Sequence, residues 1–395
     1  METNVYLQQQ QLSDLLQINS FIHKGVGFYW GKEGVIHAFT QFPETAPSGK
    51  PILVLFKKHP PSEALEECVK QMPQIESDLN EDENMSVSQF LCVFFQSGEC
   101  KAFLKNYNQI VECLVKAIPI EEQLQSLPIK TILQNKKVVL VGLGALGFRV
   151  CKDLACAGVG QFSLFDFDRL NQSSISYHLN GWKDFGRFKT STAKEMILMS
   201  NPAARVNTFE VDILANPDIL EEECRHADFI SCTTASHLSR VQVNAIALSL
   251  RKTTVFARVL RQHAGGEVFR FRADKSNAPC FACVLCTGRF FQESDEDLLS
   301  SITQNHSLSD AGFQFEFTPI SSFVTRGIIA NLVNNEEIYN VEPSHDYAFW
   351  ANKESQNFQN LWNLIYPNDD TSPQTLRWLG LNLAKFQGCP VCGAS

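Results

Sequence analysis

The chain has no arginine before Arg149, no cysteine between Thr287 and Pro319, and no apolar run long enough to cross a bilayer. Each gap excludes something. A membrane span takes about 20 consecutive apolar residues, whereas the run "ILVLF" stops at Phe56, having begun at Ile52. A secretory signal needs a basic stretch followed by an apolar one, and the opening "METNVYLQQQQLSDLLQ" offers neither. Cations are in deficit: 34 Lys and Arg stand against 43 Asp and Glu, a net charge of -9, and no basic stripe offsets it. That argues against nucleic acid, whose phosphates demand such a stripe. The expectation is a cytoplasmic protein with no membrane or nucleic-acid partner. At 395 residues it has room for two modest domains with separate cores.

Cysteine is not scarce. Eight of the 13, Cys68, Cys92, Cys100, Cys113, Cys151, Cys156, Cys224 and Cys232, are scattered through apolar segments and read as small buried hydrophobes. The others cluster in "PCFACVLC" (Cys280, Cys283, Cys286) and "GCPVC" (Cys389, Cys392). Two Cys-x-x-Cys knuckles, Cys280 with Cys283 and Cys389 with Cys392, can present four thiolates tetrahedrally to one zinc. Four sulfurs leave no open position, so such a site is structural, and it ties the end of the chain back onto the domain. Cys286 is an alternative partner for Cys283. A redox pair and plain buried thiols are the other readings; a reducing compartment favours zinc.

Residues 1–118 read as one α+β unit. Strands are expected in "GVGFYW", "GVIHAFT" and "PILVLF", and helices in "SVSQFLCVFFQSGECKAFL" and "NQIVECLVKAI". The acidic run Glu76–Asn84 reads as a solvated loop, and 119–135 as a linker holding a short helix. From 136 to 395 strands and helices alternate: "VVLVG", "FSLFDFD", "RVNTFEV", "ADFISCT" and "TTVFARV" are separated by helices. That order predicts an α/β fold with a doubly wound, mostly parallel, Rossmann-like sheet, which "GEVFRFR" extends antiparallel.

The stretch "KKVVLVGLGALGFRVCKDLACAGVGQFSLFDFD" places Gly142, Gly144 and Gly147 at the turn from a strand into a helix. In this pattern the first glycine allows the turn, the second lets backbone approach a phosphate, and the third lets helix pack on strand. Asp166 ends the next strand, about 20 residues on, where a carboxylate reaches ribose hydroxyls. The pattern fits NAD, another nucleotide, or the remnant of a site; nothing downstream supplies a hydride-transfer site.

Taken together, the glycine loop, the Asp-x-Asp strand end and the split cysteine knuckles resemble the ThiF/MoeB/HesA family, the ubiquitin-activating-enzyme-like fold. The likeness runs from about Lys136 to Ser395. It includes "VVLVGLGALG", "LACAGVGQFSLFDFD", the "GRFK" turn at Gly186–Lys189, Asn201-Pro202, "ADFISCT", "APCFAC" and "CPVCG". The resemblance implies a protein that binds ATP and magnesium and adenylates the carboxyl terminus of a ubiquitin-like protein or peptide. The nucleotide positions it implies are Gly142, Gly144, Gly147, Asp166, Asp168 and Lys189, with Lys189 on the phosphates as the catalytic residue.

The departures from the family pattern cluster on the phosphate and metal side. Ser174 and Tyr177 stand where the family has an asparagine and an arginine, while Asn171 and Arg169 lie nearby at other offsets. Thr234 replaces the aspartate that serves magnesium, and the usual early arginine is missing. The crossover segment lacks a thioester-forming cysteine. The family likeness thus implies either an active adenylyltransferase or a nucleotide-degenerate relative. The latter would be a scaffold whose winged-helix-like amino-terminal domain presents a leader peptide to an azole-forming cyclodehydratase, or the inactive half of a heterodimeric activating enzyme. Family members usually pair, so a homodimer or heterodimer is expected, with "SSFVTRGIIANLVNN" resembling the interface helix.

Overall fold

The structure, a computed structural model, describes residues 4–8, 22–30, 35–39, 50–58, 89–96, 99–106, 109–118, 128–171, 178–260, 264–287, 314–334, 339, 345–352, 356–368 and 375–393. The chain divides into two compact units, Met1–Ser126 and Leu127–Ser395.

The first unit is a closed barrel of β1 (Asn4–Gln8), β2 (Ile22–Trp30), β3 (Val35–Phe39), β4 (Lys50–Lys58), β5 (Gln89–Gln96), β6 (Glu99–Asn106) and β7 (Gln109–Ile118), in the order β1-β3-β2-β4-β5-β6-β7. This corrects the sequence reading: both segments expected as helices are strands. Every residue from Phe90 to Phe95 is buried. Leu91, Val93 and Phe95 join one core with Val5, Ile36 and Val54, while Phe90, Cys92 and Phe94 join another with Leu55 and Phe103. A strand buried on both faces loses its alternation, and periodicity then cannot separate it from a helix. In β7 the helix-like spacing of Ile110, Val111 and Leu114 belongs to exposed residues instead. A barrel is not a winged helix, and among the described strands its closure pairs both edges of each. The acidic run Glu76–Asn84 lies outside the described residues.

The second unit carries an eight-stranded sheet in the order β10-β9-β8-β11-β12-β13-β14-β15. Its strands are β8 (Lys137–Val141), β9 (Gln161–Phe165), β10 (Arg205–Phe209), β11 (Phe229–Cys232), β12 (Thr254–Val259), β13 (Gly265–Phe271), β14 (Tyr347–Ala351) and β15 (Arg377–Leu381). Neighbours from β10 to β12 pair parallel; from β12 to β15 they pair antiparallel. The doubly wound expectation and the antiparallel extension by "GEVFRFR" are both realised.

Eight helices accompany the sheet among the described residues: α1 (Pro128–Leu133), α2 (Ala145–Ala157), α3 (Lys189–Ser200), α4 (Pro217–Arg225), α5 (His237–Ser249), α6 (Phe281–Cys286), α7 (Thr318–Val333) and α8 (Gln356–Ile365). Parallel strands need cover on both faces. Val138 and Leu140 pack with α1, α2, α3 and α7, whereas Val139 and Val141 pack with α4, α5, α6 and α8. Each fully buried Val, Leu or Phe in these layers contributes about 1.5–3 kcal/mol before the entropy of ordering is subtracted. α2 ends at Gly158, whose φ of 101° lets its N–H reach back to the carbonyls of Leu154 and Ala155. α3 ends at Asn201, which is buried and donates from Nδ2 to the Val159 carbonyl at 2.9 Å.

The antiparallel part also buries charge. The β12–β13 register sets Arg258 opposite Glu267. Arg258 Nε donates to Glu267 Oε2 and the Tyr347 hydroxyl donates to Oε1, each at 2.7 Å, so both oxygens of this buried carboxylate are matched. No helix among the described residues is long and apolar enough to cross a membrane.

Candidate functional site

In a doubly wound sheet, ligands bind beyond the carboxyl ends of the strands, where neighbouring strands send their chains to opposite faces. Here that point lies between β8 and β11. β8 runs into α2 on one face, and β11 runs into α5 on the other. The two loops touch: Thr233 Oγ1 donates to the Gly142 carbonyl at 2.7 Å, and Thr233 N–H donates to Val141 at 2.8 Å.

The three glycines do different work. Gly142 has φ +89°, and a Cβ there would come within 2.8 Å of the Thr234 backbone nitrogen. At Gly147 a Cβ would overlap the Gly142 carbonyl oxygen and the Thr233 hydroxyl, so this glycine lets α2 seat against the loop. Around Gly144, at the start of α2, a Cβ would meet nothing within 4 Å. That open space is where backbone can approach a ligand.

Asp166 braces the loop. Its Oδ2 accepts from Leu143 N–H at 2.6 Å and its Oδ1 from Asp168 N–H at 2.9 Å. Burial nevertheless raises its pKa above the usual carboxylate value, against the pull of Lys189 and these N–H groups. Lys189 opens α3, its side chain only 14 % exposed, and its Nζ lies 2.8 Å from Asp168 Oδ2. Hydrogen bonds thus link the loop of Gly142, Gly144 and Gly147 through Leu143 to Asp166, on to Asp168 and from there to Lys189.

Of the departures, Ser174 and Tyr177 lie outside the described residues. Arg169 is engaged elsewhere: its Nη1 donates to the Gly186 carbonyl at 2.8 Å and its guanidinium covers the Phe188 ring at 3.6 Å. Thr234 follows β11, its hydroxyl 3.3 Å from the Ser236 carbonyl. Beneath it sits Arg240, 2 % exposed, whose Nε donates to the Thr234 carbonyl at 3.1 Å and Nη2 to the Ala235 carbonyl at 2.9 Å. Sequence reasoning passed over Arg240, although a charge among the buried Val243, Asn244 and Ile246 of α5 was a readable signal.

It also passed over His178, a lone histidine without periodic context. This ring is buried against Phe148, with Nε2 2.9 Å from the Leu143 carbonyl. Burial pushes its pKa down from 6.5 to about 4. The unfolded chain then binds the proton first, so stability falls as pH drops from about 6.5 toward 4. At about 1.4 kcal/mol per pKa unit the expected loss is about 3 kcal/mol. Urea unfolding at pH 7 and pH 4.5 should show most of this loss, about 2.4 kcal/mol, in the wild type and a smaller one in His178→Gln. Equal losses would exclude His178 as the cause.

The cysteine quartet assembles on the other face of the sheet. The Sγ atoms of Cys280, Cys283, Cys389 and Cys392 all lie within 4.8 Å of one another. Separations are 3.9 Å for Cys280–Cys283, 3.8 Å for Cys280–Cys389 and 3.3 Å for Cys283–Cys392. Four sulfurs at about 2.3 Å from a zinc ion lie about 3.8 Å apart, so the donor set and its spacing fit zinc. Burial raises the Cys280 and Cys283 thiols, the latter to about 11, so a metal cation is what would make their thiolates favourable at neutral pH. Cys286 is exposed and outside the quartet. Asn244 of α5 ties this knuckle in, its Oδ1 accepting from Phe281 N–H at 2.9 Å.

Known proteins resemble parts of this chain. A model described as "ThiF family" matches residues 116–359. The probable adenylyltransferase/sulfurtransferase MoeZ of Mycobacterium tuberculosis is 30% identical over 138 residues, 35% of this chain and 35% of that protein. The molybdopterin-synthase adenylyltransferase of Salmonella typhimurium is 28% identical over 164 residues, 41% of this chain and 62% of that one. The match thus spans about a third of MoeZ and under two thirds of the Salmonella protein. Among solved structures, E. coli MccB with ATP covers 67% of this chain and 69% of its own at 17% identity and a TM-score of 0.50. The microcin C7 biosynthetic enzyme MccB in complex with N-formylated MccA covers 67% and 70%, with 17% identity and a TM-score of 0.51. These two likenesses bear on the fold. With the family match spanning more than half of its length, and with the adenylyltransferase relatives beside it, the chain belongs to the ThiF family.

Proposed function

We propose that this protein is an ATP-dependent adenylyltransferase that activates the carboxyl terminus of a ubiquitin-like protein or peptide. One observation carries the reading: Lys189, at the start of α3, holds Asp168, which is tied through Asp166 to the glycine loop. In the reaction a carboxylate oxygen of the substrate attacks the α-phosphorus of ATP, the bond to the bridging oxygen breaks, and pyrophosphate leaves. Negative charge builds on the phosphates. Lys189 would exchange Asp168 for them, and the amino end of α2 would add N–H donors. Asp166 keeps the loop in shape and offers its remaining lone pairs to ribose. MccB, a microcin C7 biosynthetic enzyme solved with ATP and with N-formylated MccA, shares the fold and supports a partner of that kind as one class of substrate. Zinc is assigned a structural role at Cys280, Cys283, Cys389 and Cys392.

Thr234 at the end of β11 favours a second reading, a relative that has lost ATP chemistry and serves as a peptide-binding scaffold or as the silent half of a heterodimer. ATP–pyrophosphate exchange, run with candidate ubiquitin-like proteins and peptides, separates the two. Exchange that drops about 100-fold or more in Lys189→Ala, nearly 3 kcal/mol of transition-state stabilisation, is the expected result. A folded protein that neither exchanges nor binds ATP would leave only the second reading.

A further inference from the structure

Two peptide groups, Gly142–Leu143 and Leu143–Gly144, carry the chain from β8 to α2, and side chains from three separate segments hold them. The first is closed at both ends. Its carbonyl accepts from the Thr233 hydroxyl at 2.7 Å, and its N–H donates to Asp166 Oδ2 at 2.6 Å. The second is held at one end only. Its carbonyl, on Leu143, meets His178 Nε2 at 2.9 Å. A carbonyl can only accept, so Nε2 carries the hydrogen and Nδ1 the lone pair. The N–H at the other end, on Gly144, has no acceptor among the described residues. C=O and N–H point to opposite sides of a trans peptide, and no described peptide is cis. The grip of His178 on Leu143 therefore turns the Gly144 N–H away from the ring. The first backbone bond of α2 runs from Phe148 N–H to the Gly144 carbonyl at 2.9 Å. The Gly144 donor thus stands at the head of the N–H groups that the helix itself leaves unbonded.

The ring is fixed in place. It is 5 % exposed, its centroid lies 4.6 Å from that of Phe148 in an edge-on contact, and Nδ1 has no partner among the described residues. Burial, aided by the Lys189 charge, outweighs the Leu143 carbonyl and Asp184, so the ring is neutral at pH 7 and keeps the hydrogen on Nε2. We propose that His178 is a positioning residue for the nucleotide: by holding the Leu143 carbonyl it aims the Gly144 N–H at the phosphates. It acts through the 143–144 peptide and touches no ligand itself. The proposal rests on the nucleotide reading given above and adds the residue that sets the loop's donor.

Titration calorimetry of the full chain with ATP tests it. His178→Phe keeps a ring against Phe148 but removes the donor, and it should bind ATP about tenfold more weakly. His178→Gln loses the ring yet keeps an amide N–H for the carbonyl, and it should stay within about threefold of the wild type. A role in packing alone predicts the reverse order. His178→Leu, smaller and also without a donor, replaces the phenylalanine variant if that one does not fold. NMR of wild-type protein labelled at its glycine nitrogens needs no change at position 178. The Gly144 amide, identified by its absence in Gly144→Ala, should move downfield when ATP is added. Donor-free variants that bind ATP like the wild type, a glutamine variant as weak as they are, or a Gly144 amide that ATP leaves unmoved would overturn the proposal. Each of these leaves the nucleotide reading intact. A wild type that binds no ATP would sink that reading itself.

Discussion

Cys389→Ser should lose its zinc and melt at a markedly lower temperature than the wild type, whereas Cys286→Ser should retain one equivalent and melt unchanged. The reasoning starts from the end of the chain. After β15 the backbone from 382 to 393 joins no strand or helix, and the backbone bonds it makes in its final turn are local, Cys389 N–H to Phe386 and Gly393 N–H to Cys389. The cysteines of this turn, Cys389 and Cys392, reach Cys280 and Cys283 across more than a hundred residues of chain. Metal binding there closes that loop and fixes α6, whose Phe281 stacks on Phe256 at 4.6 Å within the sheet's core. Removing a metal ligand is among the few single changes that cost about 4 kcal/mol or more. For a unit of this size that corresponds to a drop of about 10 °C in the melting midpoint. Metal analysis by plasma emission, alongside a thermal melt, reads both effects. Purified wild type without stoichiometric zinc would refute the site, and zinc lost from Cys286→Ser would place the wrong sulfur in it.

The second large effect separates two glycines only three positions apart. Gly147→Ala should destabilise the second unit by about 3 kcal/mol, at the upper end of overpacking costs. Its methyl group would land on the Gly142 carbonyl and the Thr233 hydroxyl, both part of the crevice wall, and backbone gives way less readily than a side chain. Gly144→Ala should fold and melt like the wild type. Its φ of -65° suits any residue, and a methyl group there meets nothing within 4 Å. In the nucleotide reading the phosphates approach the backbone at this second glycine, so the same methyl group should weaken ATP binding about tenfold. Equal melting points for the two variants would show that α2 does not depend on close seating. Unchanged ATP affinity in Gly144→Ala would move the phosphates away from this loop.

Much of the crevice was legible because its chemistry is local. Gly142, Gly144 and Gly147 occur within six residues, and the turn they permit precedes a helix whose apolar stripe is plain. Asp166 and Lys189 follow at the next strand end and the next helix start, positions set by the βαβ repeat. The barrel was not legible in the same way. β5 is buried on both faces, and β7 exposes apolar residues at a spacing that imitates a helix, so in neither does the pattern of side chains report the backbone period.

From its sequence alone this protein is recognisable as a doubly wound α/β chain with a glycine loop, a paired acid and lysine, and two cysteine knuckles. Strand-turn-helix geometry and the two-residue knuckle spacing are short-range rules, and they carry that much. Only the tertiary structure decided what those residues have left to give. It tied Lys189 to Asp168, gave each oxygen of Asp166 one backbone N–H, and set Arg240 under Thr234. It likewise chose Cys280, Cys283, Cys389 and Cys392 over Cys286. Such pairings join residues from separate loops and strands, so they depend on the register of the sheet and the packing of its helices, which no local pattern records.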